Sequence, residues 1–317
     1  MSDWRPGADR AALAARAALL AAIRAFFAER AVLEVDTPLL ASYGVSDPAI
    51  EAFTASGSTL STPRFLQSSP EFAMKRLLAA GSGPIYQLGR AFRDGEVGPR
   101  HNPEFLLLEW YRPGFDLEAL MAEVAALLAR CLGRSDYRVH RYRDLFLRHL
   151  DLDPQLADRA ALAQAAAARM DCGDLALDRD GWLDLLLSHC IEPLLAREGL
   201  VFVTDYPASQ AALARSAERG GVTVAERFEL YVDGIELANG YRELLDADEL
   251  ERRAAADNAR RARHGQARRD LDPRLLAAMR AGLPDCSGVA LGVDRLLMLK
   301  LGATTLAELM PFDWERS

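Results

Sequence analysis

Phe92-Arg-Asp-Gly-Glu-Val-Gly-Pro-Arg-His-Asn-Pro-Glu-Phe105 decides how this chain folds. Segments of strand character flank it, Ile85 to Leu88 before and Phe105 to Tyr111 after. The Gly and Pro residues between them are those of a chain reversal, so the pair reads as a long antiparallel hairpin. Strand alternation places Phe105, Leu107, Glu109 and Tyr111 on one face. A ring, an acid and a phenol opposite Arg93 make a poor core and suit a polar pocket. Phe105 could stack on a nucleobase, Glu109 could pair with an ammonium group, and the planar fork of Arg93 could clamp a phosphate. Taken alone, the hairpin fits a solvent-facing strand with one surface ion pair equally well.

Outward from the hairpin, Leu13, Ala17, Leu20, Ile23 and Phe27 recur at helical spacing, which predicts an amphipathic helix over 9–30 running into a short strand at 32–35. Ser69-Pro70-Glu71 announces a second helix, with a cap hydroxyl, a proline at the first helical position and an acid in the first turn. The Ala-, Leu- and Arg-rich stretch of about 116–200 reads as a helical insertion. Strands return at 201–205 and 228–241, where Asp233-Gly234 signals a tight hairpin. A basic helix over 246–264 and a Gly-punctuated strand leading into a helix near Val293 follow, with Thr304 as the expected cap of a last short helix. Strands on both sides of a helical insertion predict an α+β fold, an antiparallel sheet flanked by helices, in a single domain spanning 1–317.

The chain has 317 residues, with 38 Lys and Arg against 46 Asp and Glu, a net charge of −8. That balance argues against a polyanion as partner, because neutralising phosphates takes a clustered basic surface. No signal-peptide pattern opens the chain, and no run of about 18 apolar residues appears, so a cytoplasmic protein without a membrane partner is expected. The four cysteines and five histidines show no zinc spacing.

Neither GxxxxGK[ST] nor a strand followed by GxGxxG is present, so a nucleotide would need another device. Two further clusters offer one. In Gly234-Ile-Glu-Leu-Ala-Asn-Gly-Tyr-Arg-Glu243, the acids Glu236 and Glu243 serve one site only if the strand bends near Asn239-Gly240. Two carboxylates beside phosphates imply Mg²⁺, which takes oxygen ligands; the plainer reading is a pair of edge charges. In Gly288-Val-Ala-Leu-Gly-Val-Asp-Arg295, the glycines suit close approach of a ligand, and Arg295 sits in the first turn of a helix. The arginine-rich run 251–269 reads as a solvated helix face or as a docking surface for an acidic protein.

Together and in this order, the clusters resemble motifs 2 and 3 of the class II aminoacyl-tRNA synthetases, and residues 9–38 resemble motif 1. The likeness is greatest to the lysyl-tRNA synthetase branch, through Ser69-Pro-Glu71, Phe92-Arg93, Arg100-His-Asn-Pro-Glu-Phe105, Glu109, Ile235-Glu-Leu-Ala-Asn-Gly240, Glu243 and Gly292-Val-Asp-Arg295. Synthetases of that branch carry an N-terminal anticodon-binding OB domain, whereas this chain reaches the motif 1 helix within about ten residues. It is similar instead to stand-alone paralogues that activate (R)-β-lysine with ATP and transfer it to a lysine of elongation factor P. Pro207-Ala-Ser-Gln210, Glu109-Trp-Tyr-Arg-Pro113 and Ala290, where synthetases of the branch have glycine, carry that likeness.

The resemblance implies ATP as substrate, Mg²⁺, a homodimer and no tRNA. It implies Arg93 on the α-phosphate and Arg295 on the terminal phosphate and adenine. Asp94, Gly95, His101, Asn102, Phe105, Glu236, Leu237 and Gly292 would complete the nucleotide site, with Glu236 and Glu243 holding the metal. Ser69, Pro70, Glu71, Glu109, Tyr111, Asn239, Glu243 and Ala290 would line the amino-acid pocket. Where the synthetases have an acid that reads adenine, this chain has Gly95, so either Glu96 or backbone groups take that contact. A lysyl-synthetase-like enzyme with another acceptor, or a non-catalytic lysine- or nucleotide-binding paralogue, are the alternatives.

Overall fold

The computed structural model describes residues 4–317. In chain order its strands are β1 (Leu33–Glu34), β2 (Leu40–Ala41), β3 (Thr54–Ala55), β4 (Arg64–Leu66), β5 (Ile85–Phe92), β6 (Glu104–Pro113), β7 (Tyr137–Arg141), β8 (Leu200–Pro207), β9 (Ser216–Arg219), β10 (Val222–Val232), β11 (Ile235–Arg242) and β12 (Cys286–Gly292). Nine of them form one sheet in the order β1-β5-β6-β12-β11-β10-β8-β7, with β9 added alongside β10; β2, β4 and β3 form a small separate sheet.

The expected antiparallel sheet proves to be mixed. Its centre, from β5 to β8, is antiparallel, while β1 lies parallel to β5 and β7 parallel to β8 at the edges. Both edge strands are short and joined to their neighbours by long crossovers, which is what parallel pairing requires. The predicted hairpin is β5 and β6; β5 starts at Ile85 as expected but runs on to Phe92, and β6 extends beyond the expected segment at both ends. The second hairpin turns at Asp233 and Gly234, both with positive φ (52° and 77°), as a two-residue turn of this kind demands.

Helix α1 (Arg10–Ala28) starts at Asp9, whose carboxylate accepts the Ala12 N–H at 2.7 Å. It is long and apolar enough to cross a membrane by length and composition. Here Leu19, Ile23, Phe26 and Phe27 are buried against the sheet, and Phe27 stacks on Tyr86 with centroids 4.4 Å apart. Helix α2 (Glu71–Ala79) follows Pro70, one residue later than predicted. Helix α3 (Leu117–Leu132) belongs to the main core with α1 and the last long helix, so the expected insertion is smaller than 116–200 and also contains β7. Helices α4 (Tyr142–Leu150), α5 (Arg159–Ala167), α6 (Arg179–Leu186) and α7 (Glu192–Leu195) build a second apolar cluster on β8 and β10. A π-turn, Leu187–Ile191, separates α6 from α7. Helix α8 (Ala247–Arg263), the unanticipated α9 (Pro273–Gly282) and α10 (Val293–Leu301) complete the fold. The last short helix, Leu306–Glu308, is capped by Thr305 rather than Thr304.

Candidate active site

Register across the sheet separates two faces. Leu108, Leu291, Ala238 and Leu230 are cross-strand neighbours and all face the core under α1, α3 and α10. One residue along each strand, Glu109, Ala290, Asn239 and Glu229 form the neighbouring row on the opposite face, because side chains alternate. That polar face is the floor of the candidate site.

At its β6 end, five titratable side chains, Glu71, Lys75, Glu109, Tyr111 and Glu243, meet in a buried pocket. Ser69 Oγ donates to Glu109 Oε2 (2.7 Å) and accepts the Glu71 N–H (3.0 Å), which ties the start of α2 to β6. Tyr111 donates to Glu109 Oε1 at 2.6 Å. One turn along α2, Lys75 Nζ lies 2.6 Å from both Glu71 Oε1 and Glu243 Oε2. Burial pushes Glu109 up to about 7, helped by repulsion from Glu71 and opposed by the Tyr111 and Ser69 hydrogen bonds. Burial pushes Glu243 up to about 8 against the pull of Lys75. Burial disfavours the Lys75 charge, but the Glu243 and Glu71 carboxylates outweigh it and hold the ammonium above the usual lysine range. Gly288 lets the pocket close: a Cβ there would stand 2.6 Å from Glu243 Oε1 and nearer still to the Tyr111 ring.

The side expected to take the nucleotide is built on the hairpin loop and α10. The Arg93 guanidinium lies 5.1 Å from the Phe105 ring centroid and 3.6 Å from Glu96 Oε1, and its buried Nε has no hydrogen-bond partner. Asp94 and Gly95 are exposed, with Gly95 at φ 80°. Glu96, the suggested substitute for an adenine-reading acid, is engaged with Arg93. Arg295 donates through Nη1 to the Glu236 carbonyl (2.8 Å) and through Nε to the Arg100 carbonyl (3.2 Å), and its Nη2 lies 2.6 Å from His101 Nε2. Burial, and next the Arg295 charge, push the His101 pKa down, which favours the uncharged ring that accepting that bond requires. Glu236 remains partly exposed in the cleft, and desolvation there and repulsion from Glu229 raise its pKa.

Three predicted residues stand differently from the rest. Leu237 points into the main core, leaving only its backbone for the cleft. Asn102 is buried and braces the chain, donating to the Glu104 carbonyl (2.6 Å) and accepting the Trp314 N–H (2.9 Å). Asn239 accepts from Arg227 Nε at 3.2 Å. Ala290 is flanked in register by Glu109 and Asn239, and Gly292 caps α10 next to Arg295.

Sequence reasoning missed Lys75, which lies four residues after Glu71 on a predicted helix and was open to recognition by that spacing. It also missed a network beside Glu236. Tyr206 and Tyr231 each donate to Glu229 Oε2 at 2.6 Å, Arg227 pairs with Glu229, and Tyr231 also reaches Glu192 at 3.4 Å. Burial, with repulsion from Glu236 and Glu229, pushes Glu192 up to about 7. The alternation of Arg227, Glu229 and Tyr231 along one strand face was its only local signal.

As metal ligands the two acids differ. Glu236 offers an accessible carboxylate, which fits an ion arriving with phosphate oxygens. Glu243 is buried and held by Lys75, a poor setting for a cation. Among the described residues no cluster of three His, Cys, Asp or Glu could hold a metal.

Residues 1–315 match the family described as tRNA synthetases class II (D, K and N). A protein of Pectobacterium atrosepticum named elongation factor P–(R)-β-lysine ligase is 47% identical over 100% of this chain and 99% of its own length. Proteins of the same name from Yersinia pestis (strain Pestoides F) and Yersinia pseudotuberculosis (serotype O:1b) are 48% identical, over 98% of both chains in each comparison. With its antiparallel sheet centre, its hairpin arginine and its α10 arginine in place, the chain belongs to the class II tRNA synthetases of the D, K and N type.

Proposed function

We propose that this chain joins (R)-β-lysine to ATP as an adenylate and transfers the β-lysyl group to the ε-amine of a lysine on elongation factor P. The observation that carries this reading is the charge of the pocket. Glu71, Glu109 and Glu243 surround the single ammonium of Lys75, formally −3 + 1 = −2 when all are ionised. A ligand with two ammonium groups balances that charge, and buried carboxylates bind it only when so paired. The names of the relatives agree.

The substrate carboxylate attacks the ATP α-phosphorus, and pyrophosphate leaves. No protein nucleophile is needed; catalysis rests on positioning and on neutralising the charge that gathers on phosphate oxygens. Arg93, with an unsatisfied Nε and a guanidinium standing over Phe105, would take the α-phosphate, and Arg295 the terminal phosphate. Phe105 would stack on adenine. Mg²⁺ would be held by Glu236 together with the phosphates and would lower their charge. In the second step the acceptor amine, having lost a proton, attacks the adenylate carbonyl to form an amide and release AMP. Ser69, Pro70, Glu71, Tyr111, Asn239 and Ala290 would shape the amino-acid pocket, with one more methyl at Ala290 than glycine would leave.

The chain would act as a homodimer through its N-terminal helix and the segment after it, where Leu13 on α1, Leu33 on β1 and Leu40 on β2 stand exposed. It would act without tRNA and in the cytoplasm, where a translation factor is met. ATP–pyrophosphate exchange with (R)-β-lysine and with α-lysine, followed by label transfer to elongation factor P and to tRNA, tests the reading. Preference for (R)-β-lysine and transfer to the protein support it. Preference for α-lysine, or transfer to tRNA, overturns it.

A further inference from the structure

The arginine-rich run 251–269 has no part in these steps, and much of it is engaged within the molecule. Arg252 and Arg253 pair with Glu249, Arg260 with Asp257 and Asp180, and Arg268 with Asp270. Arg261, expected on a solvated or docking face, is completely buried. Its fork donates to Glu51 Oε2 (2.5 Å), the Ala267 carbonyl (2.6 Å) and the Asp47 carbonyl (3.3 Å). Arg269 takes the other oxygen of Glu51 and lies over the Phe65 ring at 5.0 Å. Burial alone would raise the Glu51 carboxyl, but the hydrogen bonds from Arg261 and Arg269 hold it below the usual range.

Glu51 uses its main chain elsewhere. Its carbonyl accepts the N–H of Asp94 at 2.8 Å, and Asp94 directly follows Arg93. Beyond that bond the loop is exposed over 97–101; it is held further by the Arg93 N–H on the Pro103 carbonyl, the Gly98–His101 bridge, the bond from Leu306 N to the Pro99 carbonyl, and Arg295, which reaches the Arg100 carbonyl and His101. The approach to Glu51 is pinned as well: Ser46 Oγ lies 2.9 Å from Asp257 Oδ2, and Gln266 donates to the Pro48 carbonyl at 3.0 Å.

We infer that Arg261 and Arg269 are positioning residues for nucleotide binding: by fixing both carboxylate oxygens of Glu51 they hold the carbonyl that anchors Asp94, and so the base of the loop carrying Arg93. This rests on the reading that the loop binds ATP. A loop held in its bound form before the ligand arrives loses less entropy on binding, so the gain falls on ATP affinity. A two-pronged donor suits the task, since a planar fork fixes direction as well as distance.

The test is titration calorimetry of the full chain with ATP and, separately, with (R)-β-lysine. Glu51→Gln is expected to weaken ATP binding about tenfold and to change (R)-β-lysine binding by less than about twofold. Wild-type ATP affinity in the folded variant, or equal losses for both ligands, overturns the inference, the second because it marks a general loosening of the fold. Should Glu51→Gln fail to fold, Arg269→Lys decides by the same two titrations, since it keeps the charge and loses the fork. A wild-type chain that binds ATP but no (R)-β-lysine sinks the proposed function and leaves the comparison of ATP affinities standing.

Discussion

Lys75 Nζ and Glu243 Oε2 are 2.6 Å apart, with both side chains almost fully enclosed. The ion pair joins the first helix after the small sheet to the residue that follows β11. Because Glu71 and Glu109 stand close by, the ammonium neutralises a cluster rather than a single partner.

Lys75→Met should therefore cost about 3–5 kcal/mol at pH 8, the range for stripping one partner from a buried ion pair. The deficit should shrink towards pH 6. Glu109 and Glu243 have folded pKa values near 7 and 8, above the ordinary 4.5, so the folded chain holds more protons than the unfolded one between those limits. Their own contribution to stability is then greatest at low pH and declines as pH rises towards 8. Urea unfolding at the two pH values checks this; a deficit that is constant or larger at pH 6 contradicts it.

If the same carboxyls receive the substrate as proposed, they should set the pH dependence of its binding. They must be ionised to receive ammonium groups, so binding of (R)-β-lysine should release protons near neutral pH. Affinity should climb between pH 6 and 8 by at most about tenfold per pH unit for each proton released, and level off above. Calorimetry in buffers of different ionisation enthalpy counts those protons. A flat profile, or net uptake, would show that the carboxyls are already charged in the free protein.

Arg93→Ala should reduce ATP–pyrophosphate exchange by about 10²–10³, the usual loss when one preorganised charge donor is removed from a reacting centre. Its side chain is partly exposed and makes few fixed contacts, so the unfolding midpoint should hardly move. Exchange close to the wild-type rate in a folded variant removes the assignment to the α-phosphate.

Gly288→Ala introduces a methyl group against Tyr111 and Glu243. Overpacking of this kind costs about 1–3 kcal/mol. Here it should also raise the KM for (R)-β-lysine well above any change in the KM for ATP, since the displaced groups belong to one pocket. Equal changes in both constants would mean that the strain spreads beyond it.

The parts of this architecture that could be read from the chain were local ones. The hairpin carrying Arg93 and the turn at Asp233-Gly234 announce themselves through turn chemistry, and α1 through the helical spacing of its apolar residues. The parallel edges at β1 and β7 leave no comparable mark, because pairing across a long crossover has no turn residue of its own. Glu51 and Arg261 illustrate the limit at the site: they are 210 residues apart, and the surrounding arginines made Arg261 look like one charge on a solvated face. Leu237 shows the opposite error, since a motif position carried it into the nucleotide site although its side chain belongs to the core.

The alternation between Leu108 and Glu109, Ala238 and Asn239, and Ala290 and Leu291 gives each central strand two separable jobs. Every second residue can be rewritten to suit a new ligand while its neighbours keep the protein folded. A library randomised at Glu109, Ala290 and Asn239 with Leu108, Leu291 and Ala238 held constant would thus vary the polar row of the site while the apolar row beneath α1, α3 and α10 stays as it is.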